Sequence, residues 1–305
     1  MKIKKLVALA AAAVLSISMI GCSVEGEGSS AGSSAEAVGN GSIGFSVSTL
    51  NNPFFVKLTD GAKAKAEEAD VELIVVDAGD DAAKQTSDIE DLISKNISVL
   101  IVNPVDSDAV APAVEDAIGK GIKVISVDRA VNGVDVDCAI ASDNVAGAKM
   151  ATEYLVELVG EGEKVAELEG VSGASATIDR GEGFHAVADE KLDVVAKQTA
   201  NFNRSEGMDV MENMLQSNPD IKGVFAHNDE MALGAVEAIA GKDIIVVGFD
   251  ATDDALAAIK DGKMAATVAQ KPELMGQTAV ETAVKIINGE SIEKTIPVEV
   301  ELIKE

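Results

Sequence analysis

The side chains of this chain that could do chemistry sit at the ends of short apolar runs, and they come in matched pairs. SVLIVNPVDSDAV at 98–110 places Asn103 after a β-branched stretch, with acids and a helix-like pattern behind it, and GVFAHNDEMALGAV at 223–236 does the same with Asn228. VISVDRA at 124–130 ends on Asp128-Arg129, and IVVGFDAT at 245–252 ends on Phe249-Asp250. An amide both donates and accepts, a carboxylate accepts, and a guanidinium donates in a planar fork. That set suits a neutral polyol, whose affinity must come from hydrogen bonds that use each hydroxyl in both directions.

A further stretch, Ser48-Thr49-Leu50-Asn51-Asn52-Pro53-Phe54-Phe55, joins a strand-like run at 43–47 to a helix-like run at 56–69. The chain has seven Phe, one Tyr and no Trp, yet Phe54 and Phe55 are adjacent here beside polar side chains. A flat apolar face next to amides and hydroxyls fits a sugar ring, whose C–H faces stack and whose hydroxyls need partners. The same residues also read as an ordinary helix start, with Pro53 in its first turn. Asp128, Asp250 and Asn228 likewise read as helix caps.

The elements that must position these residues alternate in type. Strand patterns fall at 42–47, 72–76, 98–102, 122–127 and 137–140, then at 163–168, 193–198, 221–226, 244–249 and 264–269, with a last run at 296–303. Helical patterns lie between them at 54–69, 81–95, 107–119, 143–159, 177–190, 204–217, 230–240, 252–261 and 272–288. Strands alternating with helices imply βαβ units and parallel sheets, and two such series imply two doubly wound α/β lobes. In such sheets ligands bind at the carboxyl ends of the strands, which is where the paired amides and carboxylates fall. A cleft lined from both lobes is the expected site.

Ahead of this body, MKIKK and the apolar run 6–20 end at Gly21-Cys22, the pattern of a secretory signal. Residues 23–41 lack hydrophobic periodicity and read as a flexible tether. Removing 1–21 takes three lysines and no acid, moving the net charge from −27 to about −30. A surface so acidic repels nucleic acid and anionic membranes. Cys138, alone in an apolar run, reads as a small buried hydrophobe, so neither a disulfide nor a thiolate metal site is expected. His185 reads as a helix residue without a role.

Taken together, STLNNPFF (48–55), VNPVDSDAV (102–110), VDR (127–129), ASDN (141–144), RGEGF (180–184), HNDEMALGA (227–235), VGFD (247–250) and TVAQ (267–270) resemble the periplasmic ribose-binding family, the sugar-binding components of ABC transporters. The resemblance runs through 42–305 in order. It implies the type I periplasmic binding protein fold, two Rossmann-like parallel-sheet lobes joined by a multi-strand hinge, with 42–142 plus 271–299 in one lobe and 143–270 plus 300–305 in the other. The pentose site it implies is Ser48, Asn52, Phe54, Phe55, Asn103, Asp128, Arg129, Ser142, Arg180, Phe202, Asn228, Phe249, Asp250 and Gln270. His227 stands where relatives often have an amide. The resemblance further implies a monomer without cofactor or metal that delivers its sugar to ABC permease subunits. Gly21-Cys22 is similar to a lipobox, so Cys22 would carry a lipid that is the protein's one link to the membrane.

Three functions remain in view. A receptor for ribose is the leading one, with allose, another pentose or the furanose signal autoinducer-2 as alternative ligands. A glycosidase would use Asp128 and Asp250 as its carboxylate pair; against it, the neighbouring arginines are expected to hold both acids low. A sugar-responsive repressor core shares the fold, but the export signal, the acidic charge and the lack of a helix-turn-helix pattern before residue 42 disfavour it.

Overall fold

A computed structural model describes residues 39–304; the signal-like segment and Cys22 lie outside the described residues. The first series forms β1 (Ile43–Val47), α1 (Pro53–Glu68), β2 (Leu73–Asp77), α2 (Ala82–Ser94), β3 (Val99–Val102), α3 (Ala111–Gly119), β4 (Lys123–Val127) and β5 (Cys138–Ser142). The second forms α4 (Asn144–Val159), β6 (Lys164–Glu169), α5 (Ser175–Lys191), β7 (Asp193–Thr199), α6 (Arg204–Ser217), β8 (Gly223–Ala226), α7 (Asp229–Ala238), β9 (Ile245–Asp250), α8 (Asp253–Lys260) and β10 (Ala266–Ala269). The chain then adds α9 (Pro272–Ile287), β11 (Thr295–Val298) and β12 (Glu301–Lys304).

These strands make two six-stranded sheets of matching order, β2-β1-β3-β4-β5-β11 and β7-β6-β8-β9-β10-β12. The pairings are parallel except β10 with β12, which is antiparallel. Central strands such as β1 and β3 are buried along their whole length, because helices cover both faces of a parallel sheet. That double burial is why they read as continuous apolar runs. Strand order reverses between β1 and β3 in one lobe and between β6 and β8 in the other, opening a crevice at each sheet's carboxyl edge.

The last strand pattern, expected as one run at 296–303, is two strands in different sheets: β11 pairs with β5, and β12 with β10. Residues 299–300 between them form one of three short crossings, the others being Asp143 and residues 270–271. The third helix starts at Ala111 rather than at 107. Asp106 there accepts from the Asp108 and Ala109 amides, forming a turn before the helix can begin.

Helix α9 returns from the second lobe to pack on α1, and glycines set how close the two come. A Cβ at Gly276 would collide with the Leu58 carbonyl, and one at Gly61 with the Glu273 backbone. Backbone cannot step aside as a flexible side chain can, so overpacking here has nowhere to relax. Gly276→Ala is expected to cost about 1–3 kcal/mol, the usual range for an overpacked contact. Urea unfolding checks this; an unshifted midpoint would show that the helices separate without penalty.

Candidate functional site

The carboxyl edges of the two sheets face one another, and the lobes are closed across them. Ser107 N donates to Gly173 O at 3.0 Å, Ser175 N to Ser107 Oγ at 3.1 Å and Ala130 N to Ser175 Oγ at 2.9 Å. Lys57 pairs with Asp253 at 2.9 Å on the rim. Between the lobes lies a cavity lined by Asn52, Phe54, Phe55, Asp128 and Arg129 from the first lobe. Ala176, Arg180, Phe202, Asn228 and Asp250 line it from the second, and Gln270 from a crossing. Its free volume is about 20 Å³, room for a water or so. Two wider grooves adjoin it. One of about 500 Å³ shares Phe54, Asp250 and Gln270, and one of about 300 Å³ shares Asn52, Phe55, Arg129 and Phe202. A ring-sized guest therefore reaches the centre only if the lobes part.

Four charges occupy this centre, all nearly sealed from solvent: Asp128 and Arg129 are 4% and 3% exposed, Arg180 and Asp250 3% and 7%. Arg129 donates to the Pro104 carbonyl at 2.8 Å, and its Nε lies 3.7 Å from Asp128 Oδ2. Arg180 donates to Asn144 Oδ1 at 2.9 Å and to the His227 carbonyl, and stands 3.8 Å from Asp250 Oδ1. Gln270 Nε2 donates to the same Asp250 oxygen at 2.7 Å. The guanidinium planes are walled by aromatic rings. Arg129 lies 5.0 Å from the Phe55 centroid and 5.3 Å from that of Phe202, while Arg180 lies 3.9 Å from Phe249. Desolvated cation–π contacts of this kind reach about 2 kcal/mol. Arg129 Nε and Gln270 Oε1, both buried, have no hydrogen-bond partner among the described residues. Buried polar atoms are normally paired, and these two belong to residues that line the cavity.

The backbone that aims these groups is strained. Asp128 has φ 66°, Phe202 φ 57°, and Asp250 with Ala251 φ 124° and 55°. Left-handed conformations outside glycine cost of order 1–3 kcal/mol each and gather at functional sites. Phe202 also needs space behind it, and a Cβ on Gly170 would strike its ring.

The remaining expected site residues stand one layer back. Asn103 accepts from the Ser48 amide at 3.2 Å and donates to Asp128 Oδ2 at 3.2 Å, so it orients that carboxylate from behind. Phe249 floors Arg180. Ser48 and Ser142 are buried outside the lining. Asn52 and Asn228 line the cavity and also cap helices, accepting from Phe54 N at 2.9 Å and Met231 N at 3.0 Å. The capping alternative fails for the acids: Asp250 accepts from Gln270, and the cap of α8 is Thr252. Asp128 is followed by a loop rather than by a helix. The His227 ring turns away to Glu167 at 2.9 Å, leaving only its carbonyl to the site.

Sequence reasoning missed Gln85, a buried amide on α2. It donates to the Asn103 carbonyl at 2.9 Å and accepts from Val105 N at 2.8 Å. Mid-helix glutamines are common on surfaces, and no local signal sets this one apart. Asn144, the partner of Arg180, was within reach as the last residue of ASDN. Cys138 is buried and free. Among the described residues no cluster of His, Cys, Asp and Glu is placed to hold a metal ion.

Comparison with known proteins gives one consistent result. Residues 43–291 match the periplasmic binding protein domain family. The ribose import binding protein of Bacillus subtilis is 56% identical over 256 residues, covering 83% of this chain and 84% of the relative. That of Escherichia coli is 45% identical over 307 residues, covering 99% of each. Among solved structures, an ABC transporter solute binding protein from Bacillus halodurans with bound myo-inositol superposes with a TM-score of 0.83 at 37% identity, covering 88% of this chain and 96% of that one.

The acids behave differently from expectation. Burial pushes the Asp128 carboxyl up, and the pull of Arg129 and Arg180 offsets this only in part. Burial likewise pushes Asp250 well up, again against Arg180. The expectation that the arginines hold both acids low is therefore overturned, because the closed lobes remove the water that would favour the charged forms. An acid whose folded pKa is raised binds its proton more tightly folded than unfolded, so its contribution to stability is lost as pH rises above the ordinary value of 3.8. The stability of the wild type relative to Asp250→Asn should thus fall as pH rises from about 4, by at most about 1.4 kcal/mol per pH unit. Chemical unfolding across pH measures it, and a pH-independent difference would refute the raised carboxyl.

Proposed function

This chain belongs to the periplasmic binding protein family, and from that premise we infer that it is an extracytoplasmic receptor that captures D-ribose by lobe closure and delivers it to an ABC transporter permease. The observation that carries the ligand reading is the sealed ring of Asp128, Arg129, Arg180 and Asp250 between phenylalanine walls. The two guanidinium groups donate to neighbouring hydroxyls and the two carboxylates accept, the stronger class of hydrogen bond. Gln270 adds an acceptor, and Phe54, Phe55 and Phe202 face the ring carbons. Ser48, Asn103, Ser142 and Phe249 support this set from behind.

A binding role rather than turnover follows from the same ring. The relatives in this family are import binding proteins, and each acid here is shared with protein donors as well as with the guest. The chain works as a monomer without a cofactor, and its partners are the sugar and the permease. The raised carboxyls do not convert it into a glycosidase, because burial raises an enclosed acid whether or not it turns over a substrate.

If the ring holds an intact sugar, disturbing one member leaves buried groups unpaired at a cost of roughly 1.5–3 kcal/mol, about a 10- to 150-fold weaker Kd. Arg129→Lys and Asp250→Asn should both show it, since a point-like ammonium cannot replace a planar fork. Calorimetry with ribose, a panel of allose, other pentoses, myo-inositol and autoinducer-2, and mass analysis of the recovered sugar check the reading. Either variant binding ribose as tightly as the wild type, or a chemically altered sugar, would overturn it.

Attachment through a lipid on Cys22 belongs to the same proposal, supported by the apolar run that ends at Gly21-Cys22. Cys22→Ala should release a folded, sugar-binding protein from membranes. Retention in the membrane fraction after a salt wash would rule the anchor out.

A further inference from the structure

The Asp250-Ala251 turn, which presents one of the four site charges, is held from behind by a carboxylate outside the cavity lining. Asp229 opens α7 and is wholly buried. Its Oδ1 accepts from Thr267 Oγ1 at 2.6 Å, and its Oδ2 accepts from Thr252 N at 2.7 Å and Thr252 Oγ1 at 3.2 Å. Thr267 Oγ1 itself accepts the Ala251 N–H at 3.2 Å. Both amides that follow Asp250 are therefore tied to one carboxylate, the second directly and the first through a hydroxyl.

Those two amides flank the strained backbone of Asp250 and Ala251. Such a conformation persists only where its surroundings over-determine it. The neighbourhood is built to admit Asp229: a Cβ on Gly248 of β9 would strike Asp229 Oδ1. Burial pushes the Asp229 carboxyl up to about 7 despite its hydrogen bonds, with desolvation the leading cause. An acid kept in a place that disfavours its charge, one layer from a binding site, is a functional signal once geometry gives it a task.

We propose that Asp229 is a positioning residue for sugar recognition: with Thr267 as relay and Gly248 making room, it fixes the left-handed Asp250-Ala251 turn that aims the Asp250 carboxylate across the cavity. A carboxylate is suited to this because it accepts on both oxygens, whereas an amide of the same shape would set its own N–H groups against a donor. The proposal rests on the receptor reading above, and its test separates the two.

The experiment uses the full chain with Asp229→Asn, Thr267→Val and Thr267→Ser. Ribose Kd is measured by calorimetry at a temperature where circular dichroism shows each variant folded, so that lost stability does not pass for lost affinity. Exchange of the Ala251 and Thr252 amide hydrogens is followed in the sugar-free protein. Asp229→Asn should weaken Kd about tenfold or more, the loss expected for a hydrogen bond to a charged group, and speed exchange at both amides. Thr267→Val should weaken Kd and speed exchange chiefly at Ala251, and Thr267→Ser, which keeps the hydroxyl, should restore both. Folded Asp229→Asn and Thr267→Val proteins with wild-type Kd overturn the proposal, as does unchanged exchange at the two amides. A wild-type protein that gives no heat with ribose overturns the ribose reading instead, and the exchange data then decide alone whether Asp229 holds the turn.

Discussion

Two guanidinium groups held out of water are the constraint that the cleft answers to. A lone buried ion is prohibitively costly, and a buried pair is tolerable only with good geometry and further hydrogen bonds. Arg129 and Arg180 meet that demand by three means at once: a facing carboxylate each, carbonyl or amide acceptors at Pro104, His227 and Asn144, and phenylalanine faces against their planes. Asp128 and Asp250 face them one for one, with both carboxyls raised by burial, so the centre pairs two donors of planar forks with two acids. Each guanidinium finds its carboxylate and acceptors within its own lobe, and closure adds the second-lobe Phe202 face against Arg129.

The supporting layer explains why so many polar side chains are buried away from the cavity. Asn103, Gln85 and Asn144 direct their hydrogen bonds to protein atoms, and Asn103 and Asn144 thereby hold Asp128 and Arg180 from behind. Pre-organisation of this kind lowers the entropy lost when a ligand is ordered. It also explains the local backbone cost, since a side chain aimed across a sheet edge from a left-handed residue has few competing directions.

Much of this was legible in the sequence because parallel strands covered on both faces must be apolar along their length, and helical patterns alternate with them. The paired endings at Asn103 and Asn228, and at Asp128 and Asp250, marked the sheet edges correctly. What escaped had no local signature. Val298, Glu299 and Val300 contain no turn former, so the strand pattern ran across a crossing that only the resemblance divided between 299 and 300. Ser107 falls at the start of the helical pattern 107–119, while in the fold it serves the contact between lobes. The direction in which the acids shift depends on how much water the closed lobes exclude, a three-dimensional quantity that neighbouring arginines in the sequence do not reveal. Asp229 looked like an ordinary acid in a first helical turn.

The pairing of β11 with the first sheet and β12 with the second has a consequence for how the molecule is made. Residues 295–304 supply an edge strand to each lobe, so during synthesis from the amino end neither six-stranded sheet can be finished until this segment, which follows the rest of both sheets, has emerged. Domains that complete early tend to fold while the rest is still emerging. Here both halves wait for the same segment, so the two lobes complete their sheets together rather than one after the other.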